Sequence, residues 1–451
     1  MKITLLSVIV LAFVLAGAAP AHSGERVVSL REALDYSLAN NHAIRAFSES
    51  LSAEKEEVGI ARSFLLPKLR FEERYMRTNN PTFAFMAKLN QARFKEADFA
   101  VGSLNAPDPI NDYQTSISFE QPLFAPRAYI GIRMARNSAD AKGNEFERKK
   151  AEIAMQVFKA YLGIQTAKAY VDVSRRGVGD AKEHLRIAEA RYNSETGLYS
   201  DKLRAEVALS SAEEGLVKAR KNLAVAKRRL GLLLGLSEPV DVPEDRLYFD
   251  VQSLEYYYQA SASRKDLKSL ETKYRNAGNM LKMADAGYFP IVGLGGSYQL
   301  NDHERPLGSE GDSWQITAFL RWEILDGFKR EHERRQAKHR IAETAEYLEG
   351  LKKEIYLGVY DSYLGVEEAE KSLSLARTAL AAANEGERLV RVRYENSLST
   401  IVDLLDVQTN LDSARAAVVE KEAAYLTSVA ELFYQSGTIL QDFGINYGIS
   451  K

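Results

Sequence analysis

KAEIAMQVFKAYLG at residues 150–163 returns as KKEIYLGVYDSYLG at residues 352–365. Lys150, Glu152, Ile153, Val157, Tyr161, Leu162 and Gly163 match Lys352, Glu354, Ile355, Val359, Tyr363, Leu364 and Gly365 at an offset of 202 residues (352 minus 150). Arg191-Tyr192 returns as Arg393-Tyr394 at the same offset. Ile153, Val157, Tyr161 and Ile164 recur at spacings of three and four, the period of a helix with one buried stripe. The chain is therefore a duplicated unit, and each copy carries one very long helix. From Arg127 to Arg191 such a helix is roughly 95 Å long at about 1.5 Å per residue. It needs partners along its whole face, and neighbouring helices with Ala-rich, charged surfaces suit coiled-coil contacts.

Around these helices each copy repeats one order: helix, strand, loop, strand, long helix, break, helix. In the first copy, Ser29 and Glu32 have capping-box spacing, and a helix is expected from there to about Leu66, stopped by Pro67. Strands are expected at about 69–77 and 113–123. Between them lies a polar stretch from Thr78 to Asn111, too long for a hairpin turn, with Phe83, Phe85, Phe94 and Phe99. A second helix follows the long one, from Asp201 to Leu236. In the second copy a helix runs from Leu254 to Gly287 and stops at Pro290, the counterpart of Pro67. Strands are expected at about 291–300 and 315–325, the long helix from Lys329 to Tyr394, and the last helix from Thr400 to Ser436. The expected organisation is a signal peptide at 1–23, a first repeat at 24–245, a second at 246–437 and an irregular tail at 438–451.

The N-terminus reads as a secretory signal: Lys2, an apolar run from Ile3 to Leu15, then Ala18, Ala19, Pro20 and Ala21 before a cleavage site. Ala18 stands where a lipoprotein box would carry its lipidated Cys. The 451-residue chain has no Cys, which removes disulfides, thiolate metal sites and cysteine nucleophiles. A formal net charge of -2 leaves no electrostatic footprint for nucleic acid. The six histidines do not cluster, no glycine phosphate loop or catalytic carboxylate pair stands in a plausible context, and no enzyme, metal or cofactor is expected.

The strands set the physical problem. Each is about 10 residues, the length that spans an outer membrane when tilted. Tyr113, Thr115, Ile117 and Phe119 alternate with Gln114, Ser116, Ser118 and Glu120; Ile316, Ala318, Leu320, Trp322 and Ile324 alternate with Gln315, Thr317, Arg321 and Glu323. Glu73 and the glycines at 293 and 295 interrupt this pattern. Four strands cannot close a barrel, and an open sheet in lipid leaves backbone groups unpaired at several kcal/mol each. Several chains must therefore share one barrel, with three or four giving room for a channel. A soluble periplasmic coiled-coil adaptor or scaffold is the competing class.

With these elements placed, the chain resembles the TolC-like outer membrane efflux proteins. The resemblance spans about residues 27–440. It rests on Ser29–Leu34 with Asn40-Asn41, on Leu66-Pro67 and Phe289-Pro290, on Leu232–Gly235, and on RYENSLSTIVDLLD at residues 393–406. It implies a mainly α chain with a pair of transmembrane β-hairpins. Three copies would form a 12-stranded outer membrane barrel continued by a periplasmic α-helical barrel. It also implies a passive exit duct of a tripartite efflux or type I secretion system. The implied partners are a periplasmic adaptor, an inner-membrane pump of RND, ABC or related type, and outer membrane lipid. Asp403 and Asp406 match the family's constriction at the closed periplasmic tip, and Tyr394 a position that helps hold the tip shut. On a helix the two aspartates share a face, and in a trimer six carboxylates would ring a narrow opening, attracting cations. The adaptor-docking turns would be Gly197 and Leu198 in the first copy, and Ser397, Leu398 and Ser399 in the second. Ser399 stands where the family has a basic residue, so it cannot make that salt bridge. Two extra residues before Gly197-Leu198 predict a first tip turn of different shape.

Overall fold

A computed structural model of the chain describes residues 26–445. The expected signal peptide and the last residues of the tail lie outside them. The chain opens with β1 (Arg26–Val27), α1 (Leu30–Asn40) and α2 (His42–Ser63), then β2 (Lys68–Thr78), α3 (Pro81–Asn90), α4 (Val101–Asn105) and β3 (Ile110–Phe124). The long α5 (Pro126–Asn193), α6 (Tyr199–Leu233) and the short β4 (Val240–Asp241) complete the first copy. The second copy runs through α7 (Leu254–Ser261), α8 (Lys265–Asp285), β5 (Ile291–Asp302), β6 (Gly311–Arg321), α9 (Lys329–Glu395) and α10 (Ile401–Ser436), and α11 (Ile439–Asp442) follows. The long helices hold 68 and 67 residues.

The chain divides into two compact units. One holds residues up to Ile44, Lys150–Ser261 and those from Gly358 on; the other holds Arg45–Lys149 and Ala262–Leu357. The first unit is helical apart from a parallel pairing of β1 with β4. Its core includes Ile153, Val157, Tyr161 and Ile164, the stripe expected from their spacing, all buried. An aromatic cluster adds Phe158, Phe249, Phe433 and Phe443; the rings of Phe158 and Phe443 stack 5.0 Å apart. Ser37 Oγ and Asn41 Nδ2 both donate to the Leu233 carbonyl, at 3.0 and 2.7 Å. This ties the opening helix to Leu232–Gly235, where Gly235 turns the chain at φ +78. A Cβ there would stand 2.9 Å from the Asn40 carbonyl oxygen, so only glycine fits.

The second unit carries one antiparallel sheet in the order β2-β3-β5-β6. The two copies meet at its centre, where β3 pairs with β5. Register places Phe71, Ile117, Tyr298 and Trp314 in one row, and Leu69, Phe119, Gly296 and Ile316 in the next. These apolar residues are largely exposed; Leu69 is 77% and Trp314 72% accessible. The opposite face carries Arg70, Ser118, Ser297 and Gln315, then Glu72, Ser116, Gln299 and Ser313. With 11 to 15 residues, every strand of this sheet reaches the length a tilted membrane crossing needs.

The interruptions in the pattern have local explanations. Glu73 shares its row with Thr115, Leu300 and Asp312, which closes the apolar band toward the loops, and Thr115 Oγ1 donates to Glu73 Oε2 at 2.5 Å. Beyond that row Tyr75 and Tyr113 pack at 4.7 Å, as aromatic girdles do at an interface. Gly293 and Gly296 sit under the rings of Phe319 and Phe119, in the space a Cβ would take. These rings cover backbone that glycine leaves bare. Phe319 also carries the Arg321 guanidinium 5.6 Å above its ring, which accounts for a phenyl on the polar face.

Five expectations are corrected. The opening helix is two helices, because the Asn41 side chain accepts from the Ala43 and Ile44 amides at 2.8 and 3.4 Å and starts a new one. The helix expected at 254–287 also breaks, where Arg264 forks onto Asp266 in the first turn of α8. The stretch 78–111 is not an open loop: Asn80 caps α3, Ala84 and Ala87 bury against Ile110, and Phe94 packs edge-on between Phe85 and Phe99. The tail is ordered through α11, with Ile439 and Phe443 buried. The last strand lies four residues earlier than expected at both ends, because Trp322–Phe328 turn the chain into α9. Trp322 Nε1 donates to the Tyr288 carbonyl at 3.1 Å, and Arg330 pairs with Asp326 at 2.9 Å. No helix among the described residues is long and apolar enough to cross a membrane.

Gly293→Ala pushes a methyl into the Phe319 ring and should cost about 1–2 kcal/mol. Adding Phe319→Ala should recover part of that loss, read as the thermal midpoint of the detergent-solubilised protein.

Candidate functional site

The residues singled out at the tips all lie in the first unit, at the ends of α5 and α9 and the starts of α6 and α10. Both long helices end the same way. Glu195 and Ser397 adopt left-handed backbone at φ +61, and the next amides, Thr196 and Leu398, reach back to the carbonyls of Arg191 and Arg393 at 2.9 and 2.7 Å. This is the six-to-one bond of a Schellman turn. The offset is 202 throughout, so the two turns have equal length and the expected difference in shape is not found. Gly197-Leu198 corresponds to Ser399-Thr400, and Asp201 to Asp403.

The copies differ in how the next helix starts. Thr400 caps α10 with a full capping box: its Oγ1 accepts from the Asp403 amide at 3.1 Å, and Asp403 Oδ2 accepts from the Thr400 amide at 2.9 Å. Ser399 Oγ and Thr400 Oγ1 donate to the same oxygen at 2.9 and 2.8 Å. Ser399 thus supplies a hydroxyl to the cap in place of a salt bridge. These bonds, the Thr400 backbone bond first, hold the Asp403 carboxyl below its ordinary value of 3.8. Leu198 caps α6 with no side-chain bond. Asp403 and Asp406 are exposed, on the face of α10 opposite buried Ile401, Leu404, Gln408 and Leu411.

Tyr394 is buried, 1% exposed, in a cluster with Ile187, Ile401 and Leu404. The Arg191 guanidinium lies 4.4 Å over its ring, and Arg191 Nη1 donates to the Tyr394 carbonyl at 2.7 Å. Burial pushes the Tyr394 phenol above its ordinary value of 10.0; Arg191 opposes this shift and the Asp201 charge adds to it. Arg191 therefore clamps α5 to α9. Its counterpart Arg393 donates to the Leu398 carbonyl of its own turn at 3.4 Å and has no such ring to sit on among the described residues.

One group escaped the sequence reading. His184 is 1% exposed, and its Nε2 lies 3.0 Å from Gln408 Oε1. Gln408 Nε2 donates to Asp180 and Asp412 at 3.2 and 3.1 Å, so its oxygen faces the imidazole, which donates from Nε2. Arg415 bridges the same two aspartates at 2.6 and 3.3 Å. Burial raises the Asp412 carboxyl above its ordinary value of 3.8. These partners are more than 200 residues apart in sequence, and no short motif links them.

A channel subunit needs a membrane-length sheet with one apolar face and long helices to extend it, and this chain has both. The chain matches the outer membrane efflux protein family over residues 33–236 and 256–438. The chain belongs to that family. It is similar to the outer membrane efflux protein BepC of Brucella suis, 21% identical over 74% of this chain and 75% of the relative. It is also similar to the outer membrane protein TolC of Escherichia coli K12, 18% identical over 91% and 83%. A solved membrane protein from Pseudomonas aeruginosa shares the fold at a TM-score of 0.77, with 19% identity and 93% and 95% of the two chains covered. The outer membrane efflux protein described here is thus a channel of the outer membrane with a helical periplasmic extension, in a family of channel proteins.

Thr400→Ala removes the cap and should cost about 1 kcal/mol of local helix stability. Hydrogen exchange should speed up at the first turn of α10 and stay unchanged at α6. The cap should also fail with acid. Asp403 has its folded value lowered, so its contribution is complete above the unfolded value and is lost as pH falls through the folded one, below 3.8.

Proposed function

We propose that three copies of this outer membrane efflux protein form one exit duct whose periplasmic end is closed by the α9–α10 tip. Channels of this family are trimeric and act with adaptor and inner-membrane pump partners. For this chain, the free edges of β2 and β6 support the trimer: β6 of one copy pairs with β2 of the next until twelve strands close. The two repeats, 24–245 and 246–437, then contribute one membrane hairpin and one pair of periplasmic helices each.

The observation that carries the gate is the exposed pair Asp403 and Asp406 opposite the buried stripe of α10, beside the clamped Tyr394. A threefold axis on that side gathers six carboxylates, a ring that concentrates cations and repels itself. Arg191 on Tyr394 holds the tip helices together in the closed state. The turns at Gly197-Leu198 and Ser397-Leu398-Ser399 are solvent-facing and present Leu198 and Leu398, 67% and 68% exposed, as apolar contacts for an adaptor. The pump is of RND, ABC or related type. It supplies the energy, and the duct is passive.

Purified trimers in planar bilayers test the gate. Asp403→Ala with Asp406→Ala should weaken block by multivalent cations from the periplasmic side; unchanged block would remove these residues from the constriction. Arg191→Ala should raise the closed-state conductance, because Tyr394 loses the cation that ties α9 to α5.

A further inference from the structure

The loop joining β5 to β6 wraps around a carboxylate. Asp302, the last residue of β5, is 4% exposed. Its Oδ1 accepts from the amides of Glu304 and Arg305 at 2.7 and 3.1 Å. Its Oδ2 receives no hydrogen bond from any described residue. Gly308 passes so close to this oxygen that no side chain fits there, and Leu307 takes left-handed backbone at φ +57 to bring it in. The loop has accepted strain to close on this point.

Two further ligand groups stand near the Asp302 carboxylate. His303 Nδ1 stands 2.6 Å from Glu310 Oε1, and the His303 amide donates to Glu310 Oε2 at 3.1 Å. One ligand atom each from Asp302, His303 and Glu310 lies within 4.8 Å of the others. His303 Nε2 faces Glu304 Oε1 at 3.3 Å. A carboxylate on the far ring nitrogen fixes a metal-binding imidazole in the right tautomer, with Nε2 protonated and the Nδ1 lone pair turned toward the other two ligands.

We propose that Asp302, His303 and Glu310 bind a divalent transition-metal ion of the Zn²⁺ class. One imidazole nitrogen with two carboxylates suits a borderline cation, whereas Ca²⁺ and Mg²⁺ take all-oxygen shells. Solvent completes the coordination on the exposed Glu310 side. Glu304, Arg305 and Asp312 are the other charged groups of this loop and strand end, and Arg305 partly offsets the charge of Asp302. The ion ties the end of β5 to Glu310, the residue before β6, and so pins the hairpin beside α3, at the end of the sheet away from α8 and α9. In an outer membrane channel that end is the outer mouth.

The test uses the full-length detergent-solubilised protein after EDTA treatment and dialysis. Titration with Co²⁺ should give d–d absorption bands saturating at about one ion per chain, displaced by Zn²⁺. Calorimetry with Zn²⁺ should give the same stoichiometry of about one ion per chain. His303→Ala and Asp302→Asn should each weaken binding by at least about 100-fold, with thermal midpoints in EDTA unchanged. If His303→Ala lowers that midpoint, Glu310→Gln replaces it. Failure of wild-type protein to bind Co²⁺ or Zn²⁺ at millimolar concentration, or equal binding by wild type and these variants, would overturn the proposal.

Discussion

A strand in hydrocarbon must have its backbone groups bonded on both sides, and that requirement governs this chain. Inside one copy, β3 and β5 satisfy it and β2 and β6 do not. The central pairing joins the two halves of the duplication, so neither half supplies a membrane element alone. The remaining edges are left for other copies, and the large exposed residues on one face, from Leu69 to Trp314, are then lipid contacts. In a soluble protein the same exposure would be an aggregation surface.

The helices answer a different constraint. Helices of nearly 70 residues gain little from propensity and depend on side-chain contacts along their length. In the first unit those contacts are apolar around Phe158 and Phe433 and polar around His184 and Gln408. A buried polar network adds little net stability but fixes which residues face each other. Near the tip such specificity matters, because the turns themselves are held mainly by backbone bonds that many sequences could make.

Periodicity made the strands and long helices legible, since both are local patterns. It misled where the decisive partner lies elsewhere. Gly293 interrupts the pattern when β5 is read alone, because its covering ring, Phe319, comes from the neighbouring strand. Asn41 read as part of a helix, yet its side chain ends one helix and starts the next. The stretch 78–111 reads as a loop because its helices are short and its buried residues, Ala84, Ala87, Gln91 and Ile110, are few. At the tip, Asp403 and Tyr394 were legible through resemblance, while Arg191, the group that holds Tyr394, was visible only as half of a repeated dipeptide. His184 was legible as a residue but not as a buried one.

Duplication explains why these tip residues differ in role. Two copies with one backbone need only one set of capping bonds per helix start, and the carboxylate at the third helical position is free where the cap residue is not a hydroxyl. Thr400 ties Asp403 into the cap. Leu198 leaves Asp201 unbound, and its charge acts on Tyr394 instead. Arg191 then sits between its own turn and the aromatic ring of the other copy, while Arg393 bonds to its own turn and its charge acts on Asp403. Divergence on an unchanged backbone has thus turned a symmetric pair of turns into a clamp with a donor side and an acceptor side. A link that depends on one guanidinium over one ring can be released by a small displacement of either helix, without unfolding the turns that carry it.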